Sequence, residues 1–234
     1  WDAFDDASAD GRVVQAPRDT ENARESTHVF SLYLSESTHL GKTYESADDL
    51  LYLDGPLYPL GLLRWLDIDP TFGRSDLTGE IASNYFGTYE RALSEDVPVV
   101  GFVKNPSCSR VVRRLRDAGP PVPWSNDAGF FRHFLTNTSD EVEDADVAKG
   151  DLTFTNWFVS RLYADELFDV APPLDTPREG LLPAVMYVHD PRHGTVHRAE
   201  APLGFVRDEE TRDAVTRQTL KEVALSRVPR AVSK

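Results

Sequence analysis

The run Leu50-Leu51-Tyr52-Leu53 is cut off by Asp54-Gly55-Pro56. Four consecutive apolar residues ended by turn formers predict a short strand, buried on both faces, that then reverses sharply. Such a strand needs helices over its sheet, so this one segment already points to an α/β chain. A second run of the same kind, Pro98-Val99-Val100-Gly101-Phe102-Val103, supports the same reading.

Helical periodicity fills the spaces between. Residues 21–40 carry an apolar stripe through Val29, Phe30, Leu32 and Tyr33, and Gly41 is expected to end that helix. Leu57 to Leu66 is apolar and predicts a helix starting after Pro59, while residues 79–95 repeat Ile81, Tyr85, Tyr89 and Leu93 every four positions. Ser109 to Arg116 reads as a basic helix with four arginines in eight residues. A proline-rich turn, Gly119 to Pro123, leads to Trp124 and a helix near 127–135, and residues 137–150 read as an acidic, solvated loop. Strand character returns at Thr153–Val159, Ala184–Val188 and Thr195–Ala199, with a hairpin turn at Asp190-Pro191-Arg192-His193-Gly194. A closing helix is predicted over residues 208–225. Together these elements predict one α/β domain over residues 21–234, a mixed sheet flanked by helices, after a polar segment 1–20 expected to be frayed.

Composition narrows the class. Hydrophobic residues make up 40% of the 234, enough for a core. No stretch approaches the roughly 18 apolar residues of a membrane-spanning helix. The single cysteine, Cys108, excludes an internal disulfide and a cysteine-based zinc cluster. The first ten residues, WDAFDDASAD, have neither the basic nor the apolar region of a secretory leader, so a cytoplasmic location is expected. The 39 acidic residues against 25 basic ones give a net charge of −14; 24 of the acids are Asp and only 5 of the bases are Lys. That balance suits a cytoplasm at molar salt, where a Debye length of about 3 Å screens self-repulsion. At such salt every exposed ionic contact is weakened, so the negative charge does not veto a DNA substrate.

Several residues could carry chemistry. Asp54 ends an apolar strand, where ligands of open α/β sheets bind, and a rigidly placed carboxylate suits Mg²⁺ or Mn²⁺; equally, it could cap its own Asp-Gly-Pro turn. Asp127, before Phe130-Phe131, could cap a helix or deliver a second carboxylate to the same edge. Lys104 follows the second strand and could meet a phosphate, and the basic helix beyond it, with Arg110 and Arg113, could track a nucleic-acid backbone; both could also form a solvated face. Glu25 and Glu36 lie upstream of Asp54 as ligands or exposed helix residues. The six histidines have no metal-ligand spacing and read as structural or surface residues. There is no G-x-S-x-G, Walker loop, G-x-G-x-x-G or C-x-x-C, which excludes the recognisable hydrolase, NTPase, dinucleotide-binding and redox signatures.

The stretch from Leu50 to Pro59 resembles the second acidic motif of the NurA nuclease family, in which an apolar strand ends in Asp-Gly. Similar segments follow in the family's order: Val100 to Pro106, Asn126 to Phe131, Leu152 to Phe158, and the hairpin from Tyr187 to Pro202. The resemblance covers roughly residues 21–234 and is of the kind found in halophilic archaea. It implies an RNase H-like fold and a Mn²⁺-dependent nuclease, with Mg²⁺ as a possible substitute. The family's activities are 5′-to-3′ exonuclease and single-strand endonuclease, used in DNA end resection at double-strand breaks. Its partners are DNA ends and a HerA-type hexameric helicase–translocase, and it forms homodimers around a central channel. Carried over by motif, Asp54 is the Asp-Gly carboxylate, Glu36 the upstream glutamate with Glu25 in reserve, and Asp127 a further member of the catalytic and metal-binding set. Lys104, Arg110 and Arg113 become phosphate or DNA contacts.

The chain departs from the family pattern at both ends. The family's first catalytic aspartate sits on an N-terminal strand, whereas the first 20 residues here offer only Ala9-Asp10-Gly11 with no apolar strand before it. Residues 227–234 resemble the approach to the family's C-terminal motif but stop before its His or Asp. A partial chain is therefore expected, and the rival reading is a catalytically inactive DNA- or partner-binding module of the same fold.

Overall fold

The computed structural model describes residues 21–47, 49–59, 76–119, 121–141, 151–159 and 177–225. Helix α1 (Glu21–Tyr44) precedes β1 (Leu51–Leu53), and α2 (Asp76–Glu95) precedes β2 (Val99–Val103). Then follow α3 (Arg110–Asp117), α4 (Asp127–Glu141), β3 (Thr153–Phe154), β4 (Phe158–Val159), β5 (Pro183–Asp190), β6 (Thr195–Pro202), α5 (Leu203–Arg207) and α6 (Glu209–Leu225). Among the described residues six strands form one mixed sheet in the order β1-β2-β6-β5-β3, with β4 also paired to β5. β1 and β2 are parallel, and β6 is antiparallel to both β2 and β5. One edge of the sheet therefore collects the ends of β1, β2 and β5 and the start of β6.

The register sorts side chains between two faces. Leu51, Leu53 and Val99 face α1 and α2, where Phe30, Leu34, Ile81, Tyr85 and Tyr89 close the core. Farther along that face, Phe131 and Leu135 of α4 cover Val185, Tyr187 and Val196. On the opposite face Val100, Met186 and Ala199 pack under Val206 of α5 and Val215 and Val223 of α6. Helices on both faces explain why β5 and β6 are buried along nearly their whole length. Among the described residues no helix is long and apolar enough to cross a membrane.

The predicted α/β class with a helix-flanked mixed sheet is borne out, and several boundaries move. Gly41 does not end α1. The helix runs on to Tyr44 because Leu40 and Tyr44 are buried against the core and α2 packs close by, which outweighs the roughly 1 kcal/mol that glycine costs inside a helix. α4 extends to Glu141, into the stretch read as an acidic loop. The strand predicted over 153–159 is two short pieces. Between them Thr155 still exchanges hydrogen bonds with Tyr187, while the Trp157 indole turns away to donate to Thr216 Oγ1 at 2.8 Å. The closing helix starts at Glu209, with Asp208 accepting the Thr211 N–H at 2.8 Å as its cap. The helix predicted after Pro59 and the segment 1–20 both lie outside the described residues.

Candidate active site

Asp54 is the first residue beyond β1, and the chain then folds back across β2 at Gly101. A Cβ on Gly101 would lie 2.9 Å from both the Gly55 oxygen and the Leu57 Cα, closer than real side chains approach, so only glycine lets the turn cross there. Beside Gly101 in register is Glu200 of β6, on the same face and only 4% exposed. Its Oε2 accepts the Leu57 N–H at 2.8 Å. The Tyr89 hydroxyl donates to the Leu57 carbonyl, and the Tyr58 hydroxyl donates to the Leu181 carbonyl at 2.6 Å. The turn that carries Asp54 is thus clamped from below through backbone groups on both sides of Leu57.

Glu200 is in turn held by charge. Arg198 Nε lies 2.8 Å from Glu200 Oε1, with both side chains buried. Another nitrogen of that guanidinium, Nη1, reaches Cys108 Sγ at 2.8 Å. Removing either partner of such a pair strands a charge in low dielectric, so the pair enforces one arrangement of the turn. Sequence pattern alone assigns neither residue a role. The signal is two charges at positions i and i+2 of the strand Val196–Ala201, alternating with His197, Ala199 and Ala201, which places both on one face.

Lys104 emerges beside Asp54, because β1 and β2 are parallel and end at the same edge. Lys104 Nζ donates to Asp54 Oδ2 at 2.8 Å, and both side chains are at least half exposed. An exposed pair of this kind contributes about 0–1 kcal/mol, so either partner exchanges readily for a ligand of the right charge. A rigid carboxylate and a mobile ammonium at one strand edge can bind a phosphodiester and orient a water beside it.

The other predicted site residues lie elsewhere. Asp127 is 1% exposed and caps a neighbouring helix. Its Oδ1 accepts the Val112 N–H at 2.9 Å and its Oδ2 accepts the Arg110 N–H at 3.0 Å and the Cys108 S–H at 3.2 Å. Ser109, at the start of α3, makes no side-chain cap of its own, and Asp127 supplies it from the next helix. Of the two readings open for Asp127, the structure shows a cap, but of α3; the first turn of its own helix is capped by Asn126, whose Oδ1 accepts the Gly129 N–H at 2.8 Å. Glu36 is exposed on α1. Burial of part of its environment raises its carboxyl above the ordinary range, and interaction with the Tyr85 hydroxyl offsets this in part. Glu25 is exposed on the same helix. Arg110 is half-buried at the start of α3 and Arg113 is exposed one turn on. Among the described residues no three His, Cys, Asp or Glu side chains gather closely enough to hold a metal ion, so Glu36, Asp54 and Asp127 do not form one centre. The histidines behave as structural or surface groups: His197 stacks on Phe102 at 5.4 Å, and burial holds its imidazole below the ordinary value.

A family model described as the NurA domain matches residues 5–234, nearly the whole chain. No curated protein and no solved structure matches it.

Proposed function

This chain belongs to the NurA family, whose members are nucleases that process DNA ends, and from that premise we propose that it hydrolyses DNA at the Asp54–Lys104 edge of its sheet. The observation that carries the assignment is the clamped turn: a strand-end carboxylate held rigidly through Gly101 and Glu200, beside a lysine bound to it only by an exposed ion pair. Lys104 exchanges Asp54 for a non-bridging oxygen of the scissile phosphate and offsets the charge that builds there. Asp54 orients the attacking water, whose oxygen bonds to phosphorus and whose proton passes to solvent; the phosphorus–oxygen bond to the leaving sugar oxygen breaks, and that oxygen takes up a proton from solvent.

The Mn²⁺ that family membership implies, or Mg²⁺ in its place, does not fit a centre made of Glu36, Asp54 and Asp127, since these do not converge and Asp127 is committed to α3. Of the three, only Asp54 is an exposed carboxylate at the strand edge, and we propose it alone as a ligand. The finer activity we propose is 5′-to-3′ exonuclease with single-strand endonuclease, exerted by a homodimer beside a HerA-type hexameric translocase in double-strand break resection, on an RNase H-like fold. Family membership supports that part. Linear duplexes labelled at either 5′ or 3′ termini, and circular single-stranded DNA, incubated with Mn²⁺, test it. Release of the 5′ label first and nicking of the circle are expected, whereas digestion of RNA–DNA hybrids in preference to DNA would contradict it.

A second reading, a binding module without catalysis, is favoured by one observation: the described residues build no three-ligand metal centre. It predicts DNA or partner binding with no digestion at all.

A further inference from the structure

Next to the Asp54–Lys104 edge runs a groove of about 500 Å³, walled by the β2–α3 loop, the first turns of α4 and the β5–β6 turn. Asn105, Ser107, Asn126, Gly129, Arg132 and Thr195 are among its lining, and no described residue lining it is acidic. In a chain where 39 of 234 residues are acidic, a carboxylate-free groove beside the scissile edge is a place where an anion is not repelled. Two of its donors are also unengaged, while the Thr195 hydroxyl pairs with His197 Nε2 at 3.3 Å. The Arg132 guanidinium makes no hydrogen bond or ion pair with the described residues, although its charge is felt by His189, whose imidazole burial and Arg132 together hold below the ordinary value. Asn126 uses its Oδ1 to accept the Gly129 N–H at 2.8 Å, which fixes the amide and leaves its nitrogen without a protein partner among the described residues.

One wall of the groove adjoins an aromatic patch. Trp124 lies against Gly129 and packs on the His133 ring at 5.1 Å and on Phe130 at 5.2 Å, and Phe134 is half exposed on the same side of α4. Phosphate donors beside partly exposed aromatic side chains are the combination that holds single-stranded nucleic acid, whose bases stack on aromatics while the backbone follows positive charge. A duplex, with its bases already stacked on each other, has no use for such rings.

We propose that this groove binds the sugar–phosphate backbone of a DNA single strand running to or from Asp54, with Arg132 as its phosphate contact and the Trp124–His133 pair as a base platform. The proposal rests on the nuclease reading and adds to it the path of the strand. The test measures binding of a fluorescein-labelled oligo-dT of about twelve nucleotides, a length within the usual single-strand site size, by anisotropy in EDTA. It is run on the full chain at the lowest KCl at which circular dichroism shows it folded. Arg132→Glu should weaken binding by about tenfold or more and flatten the salt dependence by roughly one phosphate contact. Arg217→Glu makes the same charge change on α6, beside the opposite, starting ends of β1 and β2, and should leave affinity nearly unchanged. Equal weakening by both variants, or by neither, overturns the groove. A shift in oligomeric state by light scattering with unchanged DNA affinity overturns it in favour of a contact between subunits. Wild-type chain that neither binds nor digests DNA removes both the groove and the nuclease reading, whereas wild-type digestion with unaltered binding by Arg132→Glu removes the groove alone.

Discussion

Replacing Gly101 by alanine puts a methyl group where the turn after Asp54 crosses β2. The new Cβ would lie 2.9 Å from the Gly55 oxygen and Leu57 Cα, against an ordinary contact of at least 3.4 Å, so the turn must lift by half an ångström or more. All the atoms involved are backbone, which cannot swing aside as a side chain would. Overpacking of this kind costs about 1–3 kcal/mol. Lifting Leu57 also stretches its 2.8 Å bond to the buried Glu200 carboxylate, and a buried donor left unmet adds about 1–3 kcal/mol. The expected destabilisation is therefore about 2–5 kcal/mol, a fall of roughly 4–20 °C in midpoint for a domain of this size. The same movement displaces Asp54, and misplacement of a reacting group on this scale lowers turnover by roughly 10–100-fold. Thermal unfolding by circular dichroism and digestion of linear DNA, measured well below both midpoints, read the two effects separately. Gly87→Ala is the control: it lies within α2, its added methyl meets nothing within 4 Å, and it should stabilise by up to about 1 kcal/mol. Gly101→Ala with unchanged midpoint and unchanged digestion would refute the clamped turn.

Three further outcomes follow from the same geometry. Glu200→Ala removes the acceptor of Leu57 N–H and strands Arg198, for an expected loss of about 3–5 kcal/mol by denaturant unfolding, part of it recovered in Glu200→Gln, which still accepts the N–H. Asp127→Ala uncaps α3 and should lower stability by about 2–4 kcal/mol while the folded protein still digests DNA. The opposite pattern, lost digestion with intact stability in Asp127→Asn, would restore Asp127 to the catalytic set. Burial holds His189 and His197 below the ordinary imidazole value, so the unfolded chain takes up protons at a higher pH than the native one. The stability this gives is present above about pH 6.5 and is lost as pH falls below it, and His189→Gln with His197→Gln should flatten that slope in urea titrations.

The class of fold and the Asp54 edge were legible because both rest on local patterns. Apolar runs ended by Gly and Pro mark buried strands wherever they occur, and parallel strands that share a sheet end on one side. Lys104 and Asp54 meet for that reason, 50 residues apart in the chain. What local pattern could not supply was pairing across the sheet. Glu200 reaches Leu57 over 143 residues, and only the register of β6 against β2 brings them together. Asp127 shows the same limit from the other side. An aspartate before an apolar run reads as the cap of its own helix, but its carboxylate serves α3, whose own Ser109 does not, and Asn126 caps the helix that Asp127 begins. Gly41 misled for an energetic reason: propensity is worth about 1 kcal/mol, and the burial of Leu40 and Tyr44 exceeds it.

The most direct test is the rate at which the chain and its Asp54→Asn variant digest linear single- and double-stranded DNA with Mn²⁺ in molar KCl, both shown to be folded by circular dichroism. Asp54 is exposed, and the turn that carries it is held through Leu57 and Gly101 and not through the Asp54 side chain, so the variant should keep its stability within about 1 kcal/mol of the wild type and lose nearly all digestion. Equal digestion by the two proteins would show that phosphodiester cleavage does not depend on the strand-end carboxylate.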